Sequence, residues 1–326
     1  MTSKEVQSTS DLPSGDPIPA APGPSSAPKP FPLKALIAAA PSNIDAFLAH
    51  LQRAISTPTG IDTVLLFLCY STRLSSAALE LLTRPAITRS ANQLLALAQS
   101  LPPSTTLVFT NKAFPSPSAA LLLILSKRLK AFSALLSDVR TFNRLWGLLG
   151  MYFWGRGLFL KLREARLASQ SGDEKDRPKI DKLATSIAVT QLVACVVFQA
   201  LENGAYLAQK GVLEWQPANM VKAYRWSARF WGVFVGLKLT ELFADRYKRG
   251  QVPKRRRMGD KTVAVFEKEE REWNEEWRKL VSRNMAWFPL TIHWSLEQGL
   301  FSELSIGAIA SIPGVIQIRD LWNRTA

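Results

Sequence analysis

The chain is expected to fold as an all-α, membrane-associated protein with amphipathic interfacial helices and two to three transmembrane helices. Three observations carry that expectation. From residue 42 onward, apolar side chains recur at three- and four-residue spacing, and no alternating run long enough for a strand interrupts them. Segment 183–201 is nineteen residues without a charge, bracketed by Lys182 and Glu202. As a helix it matches the thickness of a bilayer's hydrocarbon core. Hydrophobic side chains make up 47% of the chain, yet 41 Lys+Arg against 26 Asp+Glu leave a net charge of +15. A chain both oily and basic suits a membrane, whose headgroups attract cations and whose acyl chains take up apolar residues.

The composition also excludes several classes. Cys69 and Cys195 lie far apart inside apolar runs, which argues against a disulfide framework and a secreted product. His50 and His293 without cysteine pairs argue against a zinc site, and no cofactor is expected. A nucleic-acid partner would rest on net charge alone, without a basic face interleaved with stacking aromatics. Neither a nucleophile elbow nor a phosphate loop is present, so no enzyme is expected.

Residues 1–32 carry eight prolines and no apolar core of a signal peptide. They read as a disordered head, or as a Pro-rich ligand for an aromatic groove. Residues 42–160 read as an amphipathic helical region. Its first helix opens near Pro41-Ser42 and Asp45. An oilier helix over 61–82 is expected to stop at Arg84-Pro85, with a third over about 89–101 ending at Pro102-Pro103. The sequon at Asn323 reads as chance without a secretory signal.

Residues 161–182 read as a basic linker and 183–244 as a membrane hairpin whose second arm, 226–244, is interrupted by Arg229, Lys238 and Glu241. That arm holds Gly232 and Gly236, a spacing that lets two helices approach closely in lipid. Residues 245–283 read as a basic, charged cytosolic loop with a polar helix from Phe266 to about Leu280, paired at Glu267/Arg271 and Glu275/Lys279. Segment 286–318 reads as a C-terminal membrane-embedded segment, either a short hairpin or an interfacial helix plus a short span over 304–318. With seven Lys/Arg in 161–182 and thirteen in 245–283, both basic stretches are expected on the cytosolic side, which makes 183–244 cross twice. Lys254, Arg255, Arg256 and Arg257 read as a solvated basic loop near lipid, with a nuclear signal as the rival reading.

The stretch 125–146 is the most informative. At 100° per residue, Leu125, Leu129, Phe132, Leu135, Leu136, Val139, Phe142 and Trp146 share one broad arc. Lys127, Lys130, Arg140 and Arg144 fall outside it, opposed in sign only by Asp138, while Arg128 and Asn143 intrude. The functional reading is an interfacial helix: Lys127, Lys130, Arg140 and Arg144 hold anionic headgroups while Leu129, Phe132, Leu136, Val139, Phe142 and Trp146 insert. Wedging one leaflet expands it and favours curvature. The plainer reading is the core-facing side of a bundle helix.

These residues also carry a resemblance. Arg128-Leu129, Leu136-Ser137-x-x-Arg140 and Arg144-Leu145 resemble the amphipathic helix of the peroxin-11 family of peroxisomal membrane proteins. Tyr70-Ser71-Thr72-Arg73-Leu74 resembles that family's early helix, and Pro289-Leu290, His293-Trp294-Ser295, Glu297-x-Gly299-Leu300 and Gly307 resemble its closing region. The likeness spans roughly 42–322 and is greatest to the fungal C-type branch; the Pro-rich head and the charged loop 245–283 depart from it. It implies a multi-pass protein of the peroxisomal membrane that elongates, constricts and divides the organelle. The implied partners are anionic phospholipid, further copies or sibling family members, fission machinery of the dynamin type, and the peroxisomal membrane-protein import receptor. That receptor reads basic residues near a span, here Lys254–Arg257 or 161–182. The alternative is a metabolite conduit of the same membrane, lined by Arg229, Lys238, Glu241, His293 and Glu297.

Overall fold

A computed structural model describes residues 44–102, 117–170, 182–259 and 261–326; the Pro-rich head and much of the basic linker lie outside them. Among the described residues there are helices and no strand. In chain order they are α1 (Ile44–Ala54), α2 (Pro58–Ser100), α3 (Pro117–Asn143), a 3₁₀ turn (Arg144–Trp146), α4 (Gly147–Gln170), α5 (Lys182–Gln209), α6 (Pro217–Gln251), α7 (Lys254–Met258), α8 (Val263–Ser295) and α9 (Glu303–Thr325). Three of them, α2, α5 and α9, are long and apolar enough to cross a membrane.

Several boundaries differ from expectation. The helix expected to stop at Pro85 runs through it to Ser100. Proline removes one backbone donor, and the carbonyl it frees belongs to Leu81, a residue that is exposed rather than packed against a neighbouring helix. The arms of the expected hairpin 183–244 are α5 and α6, but α6 is not among the helices apolar enough to span. The expected loop 245–283 is largely helical, since α6 continues to Gln251 and the polar helix extends as α8 to Ser295. Its expected i,i+4 pairs are replaced: Lys279 reaches Asp320 on α9 at 2.8 Å, and Lys268 pairs with Glu272. The terminal apolar segment resolves into the end of α8 and α9, joined by a turn at 296–302.

Backbone proximity organises the packing. On α2, Asp62, Cys69, Ser76 and Thr83 recur every seventh residue; on α3, Ala119, Ser126, Ser133 and Arg140 do the same. The helices run antiparallel with these two series facing. Ser76 and Ser126 each donate to the other's backbone carbonyl at 2.9 Å, and Ser133 donates to the carbonyl of Cys69 at 2.8 Å. A hydroxyl reaches the opposing main chain only where both helices present small residues, the arrangement favoured between helices in lipid. The other side of α2 is approached as closely by α9. A Cβ added to Gly307 would stand 2.8 Å from Leu74 Cα, and one on Gly314 3.2 Å from Phe67 Cα.

From α2 the packing passes through α9 to α8, α6, α5 and α4. Leu66, Met151, Cys195, Phe234, Trp287, Leu290 and Ala310 bring six of these helices into one buried core. The N-terminal helix α1 closes on the last turn of α9: Phe47 and His50 contact the Trp322 ring, and Arg53 Nε donates to Thr325 O at 2.9 Å.

The glycine seam yields a direct test. Gly307→Ala should destabilise the protein by about 1–3 kcal/mol through overpacking. Gly157→Ala, in the open interior of α4 with nothing within 4 Å, should be neutral or stabilising by up to about 1 kcal/mol. Thermal unfolding of the two purified variants in detergent reads the difference.

Candidate functional site

The α3–3₁₀–α4 segment separates the residues proposed to act together on a membrane. Its outward side carries Leu125, Phe132, Leu135, Val139, Phe142 and Trp146, all exposed, and the stripe continues through Leu149, Phe153 and Leu160. Lys127, Arg128 and Arg156 are exposed beside it and make no ion pair among the described residues, while Lys130 is exposed on the other side of α3, with Ser133 and Ser137. Leu129 is half-buried and Leu136 is buried, so these two face the bundle and cannot insert in this arrangement. Because α3 lies along α2 through the small-residue seam, only its outer face is open.

Arg140 and Arg144 are the second correction. Expected to hold headgroups, they stand one helical turn apart and are held by carboxylates of two different helices. Arg140 Nε donates to Asp62 Oδ1 at 2.8 Å and its Nη2 to Oδ2 at 3.2 Å. Arg144 Nε and Nη2 donate to the two Glu202 oxygens at 2.9 and 2.8 Å. Arg140's side chain is 8% exposed. Both are two-pronged, charge-assisted pairs, and opening one strands a charge away from water. They fasten α3 to α2 and to α5.

These pairs stand beside an interior space that the sequence did not reveal. Two adjoining cavities of about 450 and 370 Å³ share Tyr70, Ser137, Thr141 and Tyr224 on their walls. The smaller is lined by Arg140, Arg144 and Glu202 on one side and by Trp231, Trp287 and Trp294 on the other. The Trp231 ring packs on Phe198 at 5.8 Å, Trp287 at 5.4 Å and Trp294 at 5.8 Å. The larger opens toward Arg73, Lys130 and Glu303, where Arg73 and Glu303 pair at 2.8 Å.

The residues expected to line a conduit are elsewhere. Lys238 pairs with Glu241, which also accepts from Gln191 on α5. Glu297 pairs with Arg225. His293 Nδ1 accepts from Phe301 N at 3.0 Å and so shapes the turn before α9. Arg229 stacks on Trp226 at the outer surface. Gly232 and Gly236 face α8, where added Cβ atoms would meet Thr291 Oγ1 at 3.0 Å and Phe288 Cε2 at 3.4 Å.

Among the described residues, basic residues of 161–182 and of 245–257 gather at one end of the molecule. Gly155 on α4 faces Leu192 on α5, and Gln191 beside it reaches Glu241 on α6. The last turns of α4, the first of α5 and the last of α6 therefore share an end, which gathers Lys161, Arg163, Lys182, Arg246 and Arg249. There Arg249 and Arg257 both hold Glu270, with Arg249 over the Trp273 ring and Arg246 over Trp277. Of the four expected targeting residues, Arg257 is thus a brace, while Lys254, Arg255 and Arg256 are exposed without an ion pair among the described residues. Burial works to raise the Glu270 carboxyl, and the guanidiniums of Arg249 and Arg257 outweigh it, holding it below its ordinary range.

The chain matches no family model, no curated protein and no solved structure. Its reading therefore rests on its own residues. Two signals in the sequence would have located the buried pairs. The seven-residue recurrence of small polar residues on α2 and α3 places Asp62 opposite Arg140. Glu202 ends the long uncharged stretch, where a lone carboxylate calls for a cation.

Two outcomes follow. Arg140→Met should cost about 3–5 kcal/mol by isolating Asp62, and the double change with Asp62→Leu should recover much of it; Lys127→Gln should stay within about 0.5 kcal/mol. Chemical unfolding of the wild type, both single variants at Arg140 and Asp62 and the double gives the cycle, with Lys127→Gln as the control. A lowered Glu270 pKa means that its stabilisation is present above the ordinary value of 4.5 and is lost as pH falls through the folded value. Hydrogen-exchange protection in α7 and the first turns of α8, taken relative to the intrinsic rate at each pH, should fall on acidification, and Glu270→Gln should show the reduced protection at neutral pH already.

Proposed function

We propose that this is a membrane-embedded helical protein that bends the bilayer with the outer face of α3–3₁₀–α4, and that it acts in elongating, proliferating and dividing peroxisomes. The observation that carries the reading is the exposed apolar stripe from Leu125 to Leu160, flanked by Lys127, Arg128 and Arg156, cations with no ion pair among the described residues. Apolar side chains in that position lower their free energy by entering lipid, and the adjacent cations hold anionic headgroups above them. The headgroup contacts move from Arg140 and Arg144 to Lys127, Arg128 and Arg156, because the first two are occupied within the bundle and Lys130 faces the larger cavity. The organelle, self-association with further copies or siblings, recruitment of dynamin-type fission machinery and delivery by the membrane-protein import receptor all come from the peroxin-11 resemblance. Lys254, Arg255 and Arg256 suit the receptor role because they are presented to solvent.

A second reading is a conduit for small polar solutes. It is favoured by the two adjoining cavities, and its lining is Arg144, Glu202, Tyr70 and Tyr224 rather than the residues expected from sequence.

The full chain reconstituted into vesicles separates the two. Phe142→Glu with Trp146→Glu alters exposed residues only, so the protein should fold. Tubulation of anionic vesicles, imaged by electron microscopy, should be lost while solute permeability is unchanged. Tubulation that persists in this variant sinks the remodelling reading, and permeability lost with Tyr224→Phe alone would favour the conduit.

A further inference from the structure

We propose that the outer groove between α6 and α8 holds one acyl chain of an anionic glycerophospholipid, with its phosphate on Arg229. The proposal rests on the protein being embedded in a membrane and is independent of whether it bends one. The groove is about 490 Å³ in volume. It exists because Gly232 and Gly236 place no side chain between the helices, and its rims, Val233, Phe288 and Ile292, are apolar and exposed. Water gains nothing along such walls, whereas a hydrocarbon chain does.

The depth of the groove identifies the ligand. The ring stacking of Phe198 on Trp231 sets α5 level with α6 at that point. Arg229 therefore stands near Leu201 and Glu202, where the uncharged stretch 183–201 ends and headgroups begin. From Arg229 to Leu237 the groove runs for eight residues, about 12 Å, toward the middle of that stretch. This is less than half of a hydrocarbon core about 30 Å thick, so it takes the head-proximal part of one chain.

Arg229 is prepared for a phosphate. Its guanidinium lies 4.6 Å over the Trp226 ring, and Nη2 donates to Ser295 O at 3.3 Å across the end of the groove. No carboxylate pairs with it among the described residues, whereas its neighbour Arg225 is taken by Glu297. One aromatic face and one carbonyl fix the orientation and leave donors over for phosphate oxygens.

The test titrates the purified, delipidated full chain in detergent with phosphatidylglycerol or phosphatidylcholine of matched chains and counts bound lipids by native mass spectrometry. One phosphatidylglycerol should be retained in preference by about tenfold, because the quaternary ammonium of phosphatidylcholine offsets its own phosphate and repels Arg229. Arg229→Gln should remove the preference. Gly236→Leu, which fills the groove, and Ile292→Trp, which closes it from an exposed rim, should each remove the bound lipid with the fold retained by circular dichroism. Equal retention of the two lipids, a preference that survives Arg229→Gln, or lipid unaffected by both groove variants overturns the proposal. A wild-type dimer that Gly236→Leu converts to monomer also overturns it and assigns the groove to a second copy. The Phe142→Glu/Trp146→Glu protein should keep its phosphatidylglycerol, so loss of remodelling and loss of this site are told apart.

Discussion

The fold depends on how closely α2 can be approached. Hydroxyls of α3 reach its main chain on one side and glycines of α9 touch it on the other. Neither contact is a large apolar patch; both are gains in proximity, which raise dispersion contacts per unit length and let side chains bond to opposing carbonyls. Each interhelical hydrogen bond is modest, about 0.6 kcal/mol in lipid-embedded proteins. Their value here is positional, because a seven-residue series facing another leaves one favourable register. That register sets where Arg140 and Arg144 fall, and through Glu202 it sets how α5 stands against the rest.

The segment that looked like one amphipathic surface therefore has two functions on two sides. Its inner side is polar yet buried, carrying Ser126, Ser133 and Arg140. Its outer side is apolar yet exposed. In a soluble protein this would be inverted and unstable. Beside a bilayer it is the expected arrangement, since lipid accepts the outer side and the polar inner side finds partners within the protein. The cations divide in the same way: those with carboxylates opposite them lock helices, and those without remain available to an anionic partner.

What the sequence displayed plainly was whatever depends on composition along a single helix. The uncharged run at 183–201 is apparent as a span because only one segment is needed to judge it. The exposed apolar stripe at 125–146 was equally visible. What stayed hidden depends on two helices at once. Ser76 and Ser126 read as ordinary polar positions until they are set opposite each other, and Trp231, Trp287 and Trp294 read as unrelated aromatics until α6 and α8 pair. Pro85 misled for a related reason: a rule about the isolated helix ignores the exposure of the carbonyl it frees. Arg140 and Arg144 were read as free cations because their carboxylates lie 78 and 58 residues away.

The position of α9 has a consequence for how the chain is made. The groove of α2 that receives Gly307 and Gly314 is made first, and its occupant follows only after more than two hundred further residues. Closure of α1 on Trp322 waits for the same event. Contacts of such long sequence separation form slowly, and the unsatisfied apolar surface invites aggregation meanwhile. A chain built in this way cannot complete its architecture segment by segment as it emerges. The α2 surface has to be shielded until α9 has been made.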